Sequence, residues 1–138
     1  MKRLFLVMIM ALSVVAGFAQ NKERINVLKE RQKVLKLTTE LNKMQLAYEK
    51  EKANNVELSK KAADVNVEAN IATTEFNTTN ASSTVKDATS TIKKLKDAKA
   101  INKKLAKSQK TLTKLEKKIA KLQAKIDDSN KRIKFVNN

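Results

Sequence analysis

The 138-residue sequence contains no Cys, His, Pro or Trp and a single Gly. Without Cys or His, the chain has no thiol nucleophile, no disulfide framework and no zinc-type ligand set. The missing His also removes the side chain that ordinarily exchanges protons near neutral pH. With so few turn-forming residues, folds built from many short strands are excluded. We therefore expect an all-α protein that is not an enzyme, without catalytic, cofactor-binding or metal-binding residues and without a small-molecule substrate.

The first nineteen residues have the pattern of a secretory signal peptide. Lys2 and Arg3 precede an apolar run over residues 4–16, and the small residues Gly17 and Ala19 follow. This order predicts cleavage after Ala19, so that residues 20–138 form an exported periplasmic or secreted protein. The alternative is an uncleaved membrane anchor, for which the apolar run is shorter than the roughly 20 residues that a spanning helix needs.

Apolar residues recur after that point at alternating steps of three and four, the spacing of a packing seam along one face of a helix. Twelve of fifteen seam positions are apolar in the first half of the chain, and ten of twelve in the second half. The first seam comprises Val27, Glu30, Val34, Leu37, Leu41, Met44, Tyr48, Glu51, Asn55, Leu58, Ala62, Val65, Ala69, Ala72 and Phe76. The second comprises Ala98, Ile101, Leu105, Ser108, Leu112, Leu115, Ile119, Leu122, Ile126, Ser129, Ile133 and Val136.

Residues 72–91 separate the two seams and contain twelve Ser, Thr or Asn residues out of twenty. These side chains compete with helical backbone hydrogen bonds and favour caps and turns. The sequence therefore predicts an antiparallel coiled-coil hairpin, with helix one over about 22–76, a turn over about 77–83 and helix two over about 84–136. Thr84 and Asp87 have the spacing of a capping box that would begin helix two.

The two seams align in an antiparallel register in which facing positions add to 163. The predicted pairs are Leu37–Ile126, Leu41–Leu122, Met44–Ile119, Tyr48–Leu115, Leu58–Leu105 and Ala62–Ile101. The same alignment places the polar residues Asn55 and Ser108 opposite each other, as a polar layer that fixes the register. Near the turn, Val85, Ala88, Ile92 and Leu95 continue the second stripe one residue out of phase. This predicts a slip that pairs Ala69 with Leu95, Ala72 with Ile92 and Phe76 with Ala88.

Two further questions about the architecture stay open at this point. Because no Gly or Pro forces a break, one continuous helix is the alternative to the hairpin. A two-helix coil has a thin core, so we also expect association with a second copy or with another coiled coil. Ala106, Thr113 and Ala120 widen the second seam on one side and favour such association.

The positive charge is concentrated in the second half of the chain. Residues 20–85 contain 11 basic and 9 acidic residues, whereas residues 86–138 contain 17 basic and 5 acidic residues. The predicted polyanion-binding stripe comprises Lys103, Lys104, Lys107, Lys110, Lys114, Lys117, Lys118, Lys121, Lys125, Lys131 and Arg132. Such a stripe either keeps the helix soluble or binds a polyanion, and Lys favours diffuse attraction over planar recognition. An anionic membrane or envelope surface fits an exported protein, whereas sequence-specific binding of nucleic acid is not expected.

These features lead to three hypotheses about function. The first is an exported structural or adaptor protein that assembles by coiled-coil packing and docks on an anionic envelope surface. The second is a holdase chaperone. In its size, its positive charge, its signal peptide and its long helical arms, the chain resembles the Skp/OmpH periplasmic chaperones, and this resemblance implies holdase activity. The chain departs from that family because residues 20–24 lead directly into helix rather than into a strand-containing body. The third is a secreted cationic protein that acts on membranes or nucleic acid.

Overall fold

A computed structural model of the chain describes residues 21–76 and 81–136, and this part of the protein is two long helices and contains no strand. Helix α1 spans Asn21–Thr74, with 54 residues, and helix α2 spans Ala81–Val136, with 56 residues. The two helices pack against each other, which excludes one continuous helix and confirms the hairpin. The predicted signal peptide and positions 77–80 of the predicted turn lie outside the described residues.

The helices are long because neither of them contains a helix-breaking residue. Residues 21–136 contain neither Gly nor Pro, and the side chains with the highest helix propensity, Ala, Leu and Lys, are abundant. Helix α1 ends two residues earlier than predicted, and α2 begins three residues earlier. Positions 81–83 are therefore helical rather than part of the turn. Thr84 consequently lies inside the first turn of α2 and not at its N-cap, so the predicted capping box is wrong.

Side-chain contacts between the helices show an antiparallel register. The amide of Asn55 donates a hydrogen bond to the hydroxyl of Ser108 over 3.1 Å. Nearer the turn, the hydroxyl of Thr91 donates to the carbonyl oxygen of Ala72, also over 3.1 Å. The position numbers add to 163 in both pairs, so one register extends from the middle of the hairpin to its tip.

The core is a narrow line of buried side chains along the seams. Leu41, Leu122 and Ile126 form one buried cluster in the half of the hairpin away from the turn. Four half-buried side chains pack against it: Val34, Leu37, Met44 and Ile119. In the half near the turn, the buried apolar residues are Ala62, Ala69 and Ala98. The buried apolar residues are therefore large in the open half and alanines in the tip half, where Leu58 and Leu105 are half-buried in the seam.

The predicted phase slip near the turn is wrong. Val85, Ile92 and Leu95, which the slip places in the core, have 69%, 52% and 48% of their surface exposed. The second seam instead continues without a break through residues 84, 87, 91 and 94 to the buried Ala98. The polar but compact Thr91 occupies a seam position opposite Ala72, where a larger residue was expected. The bond from its hydroxyl to Ala72 keeps that hydroxyl satisfied.

Two further polar residues interrupt the seam at the open end. Ser129 is completely buried, and its hydroxyl oxygen has no hydrogen-bond partner. One carboxylate oxygen of Glu30 is also buried, 3.7 Å from the ammonium nitrogen of Lys33. Burying an unpaired hydroxyl costs about 1–3 kcal/mol, so the open end carries a local destabilising element.

Candidate anion-binding face

The hairpin has two long sides that differ in charge, and one pair of asparagines identifies them. The amide of Asn102 donates to the side-chain oxygen of Asn66 over 2.7 Å, and the reverse bond measures 3.5 Å. Both residues immediately follow a seam residue, so they lie on the same side of the hairpin. Residues seven apart share a row on a coiled-coil helix. We call the rows of Asn66 and Asn102, with the next row outward on each helix, the neutral side.

The neutral side carries few charges along its whole length. Its charged residues are five basic and three acidic: Arg24, Arg31, Lys52, Lys99, Lys134, Glu49, Glu116 and Asp127. The remaining positions are polar amides, hydroxyls and apolar side chains. Side chains that the sequence predicts to widen the second seam, Ala106, Thr113 and Ala120, also belong to this side.

Tyr48 connects the seam to the neutral side through its phenol. Its hydroxyl donates a hydrogen bond to a carboxylate oxygen of Glu116 over 3.0 Å. This bond stabilises the neutral phenol and is the largest reason why the pKa of Tyr48 is raised above its usual value near 10. Partial burial and the negative charges of Glu116 and Glu49 act in the same direction. The phenol is therefore expected to hold its proton into more alkaline solution than a solvated tyrosine does.

Tyr48 is the only tyrosine and the chain has no tryptophan, so this pKa can be measured directly. We expect phenolate absorbance to appear with a midpoint above pH 10 in the folded chain. The substitution Glu116→Gln should return the midpoint towards 10, because it removes both the charged acceptor and its field. Glu49→Gln, which removes only the weaker field, is the matched control and should have a smaller effect. A midpoint that Glu116→Gln leaves in place would show that the hydrogen bond does not form in solution.

The opposite side of the hairpin is strongly basic in its open half. Of the predicted stripe, seven residues on α2 lie there, in the row that precedes the seam and in the next row outward. Five lysines of α1 over residues 29–50 lie on the same side, and Lys22 begins one of their rows. We call these twelve residues the basic side: Lys29, Lys33, Lys36, Lys43, Lys50, Lys104, Lys107, Lys114, Lys118, Lys121, Lys125 and Arg132. The other four members of the predicted stripe, Lys103, Lys110, Lys117 and Lys131, form the outermost row of α2 beside it.

Sequence reasoning missed the contribution of α1 to this face. The overall balance of the first helix conceals it, because acidic residues at 57, 64, 68 and 75 offset lysines that lie much nearer the open end. The signal was nevertheless present: Lys22, Lys29, Lys36, Lys43 and Lys50 follow each other at intervals of seven. That interval places them in one row, and the antiparallel fold aligns the row with the lysines of α2.

The lysines of the basic side are exposed and have few acidic neighbours. Glu40 and Asp128 are the two acidic residues among these rows in the open half. Within residues 21–76 and 81–136, the ion pairs are Lys33–Glu30, Lys61–Glu57 and Arg132–Asp128, at 3.7, 2.6 and 2.7 Å. The contact with Lys61 lowers the pKa of Glu57, first through its hydrogen bond and then through its charge. Lys33 and Arg132 are thus the members of the basic side that have an ion-pair partner.

This arrangement can bind anions without forming a pocket. The two sets of lysines extend over residues 29–50 and 104–132, which at 1.5 Å per residue is a face roughly 40 Å long. Concentrated charge of one sign raises the local concentration of a counter-charged partner, and the unpaired lysines repel each other until one is bound. Since ammonium groups are compact and well hydrated, selectivity between polyanions should be weak.

The remaining predicted residues are internal to the hairpin. Asn55 and Ser108 form the polar layer as a hydrogen-bonded pair, and Ser108 is buried. The residues predicted for helix packing all have at least part of their surface covered. They are Leu37, Leu41, Met44, Tyr48, Leu58, Leu105, Leu115, Ile119, Leu122 and Ile126. None of the twelve belongs to the basic side, so the structure separates packing from charge.

Other kinds of site have little support in the described residues. Near the tip, Thr73, Phe76, Ala88, Thr91 and Ile92 line a shallow apolar recess that is open to solvent. Over 21–76 and 81–136, no group of acidic side chains is arranged to hold a metal ion. The same ranges contain no helix apolar enough to cross a membrane.

Comparison with known protein families, with curated proteins and with solved structures finds no match for this chain.

Proposed function

We propose that this chain is an exported, non-enzymatic coiled-coil adaptor that assembles with itself and docks on an anionic envelope surface. The observation that carries the docking proposal is the alignment of lysines from both helices on the basic side. Lysines that only keep the protein soluble could lie on any side of the hairpin, whereas here the lysines of α1 lie on the same side as those of α2. Export follows from the pattern of the first nineteen residues, and cleavage there leaves both helices and every contact between them intact.

The anionic surface is favoured over other polyanions by geometry and location. A straight rod with one basic side presents its lysines to a plane, where each gains roughly 1 kcal/mol near anionic headgroups. The large apolar residues of the basic side are few, so the rod should adsorb on the surface rather than insert into it. The aromatic side chains that the structure describes, Tyr48 and Phe76, lie in the seam and not among the lysines, so they offer the bases of nucleic acid no stacking platform there.

Vesicle sedimentation tests this proposal with residues 20–138. We expect the protein to pellet with vesicles of phosphatidylcholine containing phosphatidylglycerol at 0.15 M salt, and not with phosphatidylcholine alone. Changing Lys43, Lys114 and Lys121 together to Gln should weaken partitioning by about two orders of magnitude, at roughly 1 kcal/mol for each lysine.

The matched control changes three lysines of the tip half, Lys60, Lys96 and Lys99, to Gln and alters the net charge by the same amount. It should weaken partitioning less than tenfold, because these side chains lie away from the basic side. Equal losses in both variants would mean that net charge, and not this face, attracts the protein. Absence of binding to anionic vesicles would refute the docking proposal.

A further inference from the structure

Near the turn, large apolar side chains of the hairpin lie outside the core. The buried apolar residues of the tip half are Ala62, Ala69 and Ala98, whereas Ile92 and Leu95 on the neutral side are about half exposed. Ordinary amphipathic helices show the reverse distribution. Val85, at 69% exposed, and Phe76, at 39%, extend the same surface, and we call Phe76, Val85, Ile92 and Leu95 the tip patch.

Val85, Ile92 and Leu95 lie in a part of the neutral side that has no charge, and Phe76 borders them at the end of the first seam. On α1, the neutral-side positions over residues 63–76 are Ala, Asn, Asn and Thr, and on α2 the positions over 81–95 are Ala, Val, Ala, Ile and Leu. The basic side, in contrast, would repel the same surface of a second copy. An apolar patch without charge can pack against another apolar surface of the same chain. A two-fold dimer requires such self-complementarity, because both subunits contribute the same surface.

We infer that a second copy of this chain covers the neutral side, in an antiparallel pair of hairpins that forms a four-helix bundle. When two such hairpins overlap over their full length, the tip of one lies beside the open end of the other. At the open end of the neutral side, Leu28 and Leu35 are 60% and 69% exposed. They lie 7 and 14 residues from the start of α1, and Leu95 lies 14 residues from the start of α2. The antiparallel pair therefore brings Leu28 and Leu35 against the partner's tip patch.

Charge complementarity along the neutral side favours the same arrangement. With full overlap, Glu49 lies at the height of the partner's Lys52, and Asp127 lies at the height of the partner's Lys99. A parallel pair would instead place Arg24 and Arg31 beside their own copies. Opposite charges in contact fix the orientation of an interface, and like charges in contact penalise the alternative.

The area available is sufficient for a stable pair. The exposed portions of the four tip-patch residues and of Leu28, Leu35 and Val56 provide on the order of 700 Å² of apolar surface, close to the roughly 800 Å² per partner of a standard interface. The basic side lies on the opposite face of each hairpin and stays accessible. This inference adds an interface to the assembly part of the proposed function, and its failure would leave the vesicle result unaffected.

Sedimentation equilibrium of residues 20–138 is the first test, and we expect a dimer at micromolar concentration. Changing Ile92 and Leu95 together to Ser should weaken dimerisation at least 100-fold while circular dichroism shows unchanged helix content, since both side chains are exposed in the single hairpin. Ile71→Ser is the matched control, because Ile71 is 45% exposed but lies on the opposite side, and it should dimerise normally. A chain that is monomeric at 100 µM, or a dimer that persists in the double variant, overturns the inference.

Because the chain has no native cysteine, crosslinking then tests the orientation. Leu35→Cys and Leu95→Cys chains, mixed and oxidised, should form the mixed disulfide dimer in preference to either symmetric one. Preferential crosslinking of Leu95→Cys chains to each other would indicate a parallel pair and overturn the antiparallel arrangement. If the soluble protein stays monomeric and unfolded polypeptides instead protect the tip patch from labelling, a client-binding role replaces self-association.

Discussion

Replacing Leu122 with Ala is expected to lower the free energy of unfolding by about 3 kcal/mol, the largest single-residue effect we foresee in this protein. Leu122 is 7% exposed and forms the buried cluster with Leu41 and Ile126. Truncating a buried Leu removes its transfer free energy and leaves a cavity, which together cost 2–5 kcal/mol. The tip half compensates little, because its buried apolar residues are alanines.

Urea denaturation followed by circular dichroism measures this loss at one protein concentration. Leu46→Ala provides the matched control, since Leu46 is 58% exposed on the outer face of α1, and its cost should not exceed about 0.5 kcal/mol. Similar losses at both positions would mean that the cluster around Leu122 does not form the core of the open half.

The second large effect is a gain in stability with a loss of structural uniqueness. Changing Asn55 and Ser108 together to Leu should raise the free energy of unfolding by about 2 kcal/mol, after some overpacking is subtracted from the burial of two apolar side chains. The hydrogen bond of 3.1 Å between them is lost, and with it a polar layer that tolerates only a specific alignment. We therefore expect the hairpin to occupy more than one register.

Paired cysteines report the register in this variant. Cysteines at Met44 and Ile119 face each other in the observed alignment, whereas cysteines at Met44 and Leu112 face each other only after a slip of seven residues. The chain that keeps Asn55 and Ser108 should form only the disulfide between positions 44 and 119. The Leu variant should form that disulfide and also the one between positions 44 and 112. Asn54→Leu, a change of the exposed neighbouring residue, should leave the pattern as it is. If the Leu variant also formed only the first disulfide, the polar layer would have no role in alignment.

The architecture was predictable because long seams determine it. Fifteen positions on α1 and twelve on α2 repeat at steps of three and four, and of those with described side chains all but Phe76 are at least partly buried. Periodicity could not resolve the region near the turn, where a seam of Thr and Ala competes with an outer row of Val, Ile and Leu. Choosing the largest apolar residues for the core produced the false slip. Which of the two rows faces the partner helix is a tertiary property, which no single-helix pattern contains.

The part of the basic side that belongs to α2 could likewise be predicted from the sequence. The lysines of α2 dominate the charge count, so they are visible in any window of the sequence. Those of α1 are hidden by the acidic residues at 57, 64, 68 and 75, and only their interval of seven reveals a row. That the two rows share one side depends on the antiparallel contact of Asn66 with Asn102, which becomes known only with the fold.

The hairpin register has a consequence for how the chain folds. Its cross-helix hydrogen bonds join residues 19, 36, 53 and 68 positions apart, in order of distance from the turn. Each contact that forms shortens the loop that the next one must close, so helix pairing should proceed as a zipper from the tip. With no proline to isomerise and no disulfide to oxidise, nothing in residues 21–136 imposes a slow step on it. Unfolding should follow the opposite order. The open half of the hairpin, which carries the basic side, therefore separates first during unfolding and pairs last during folding.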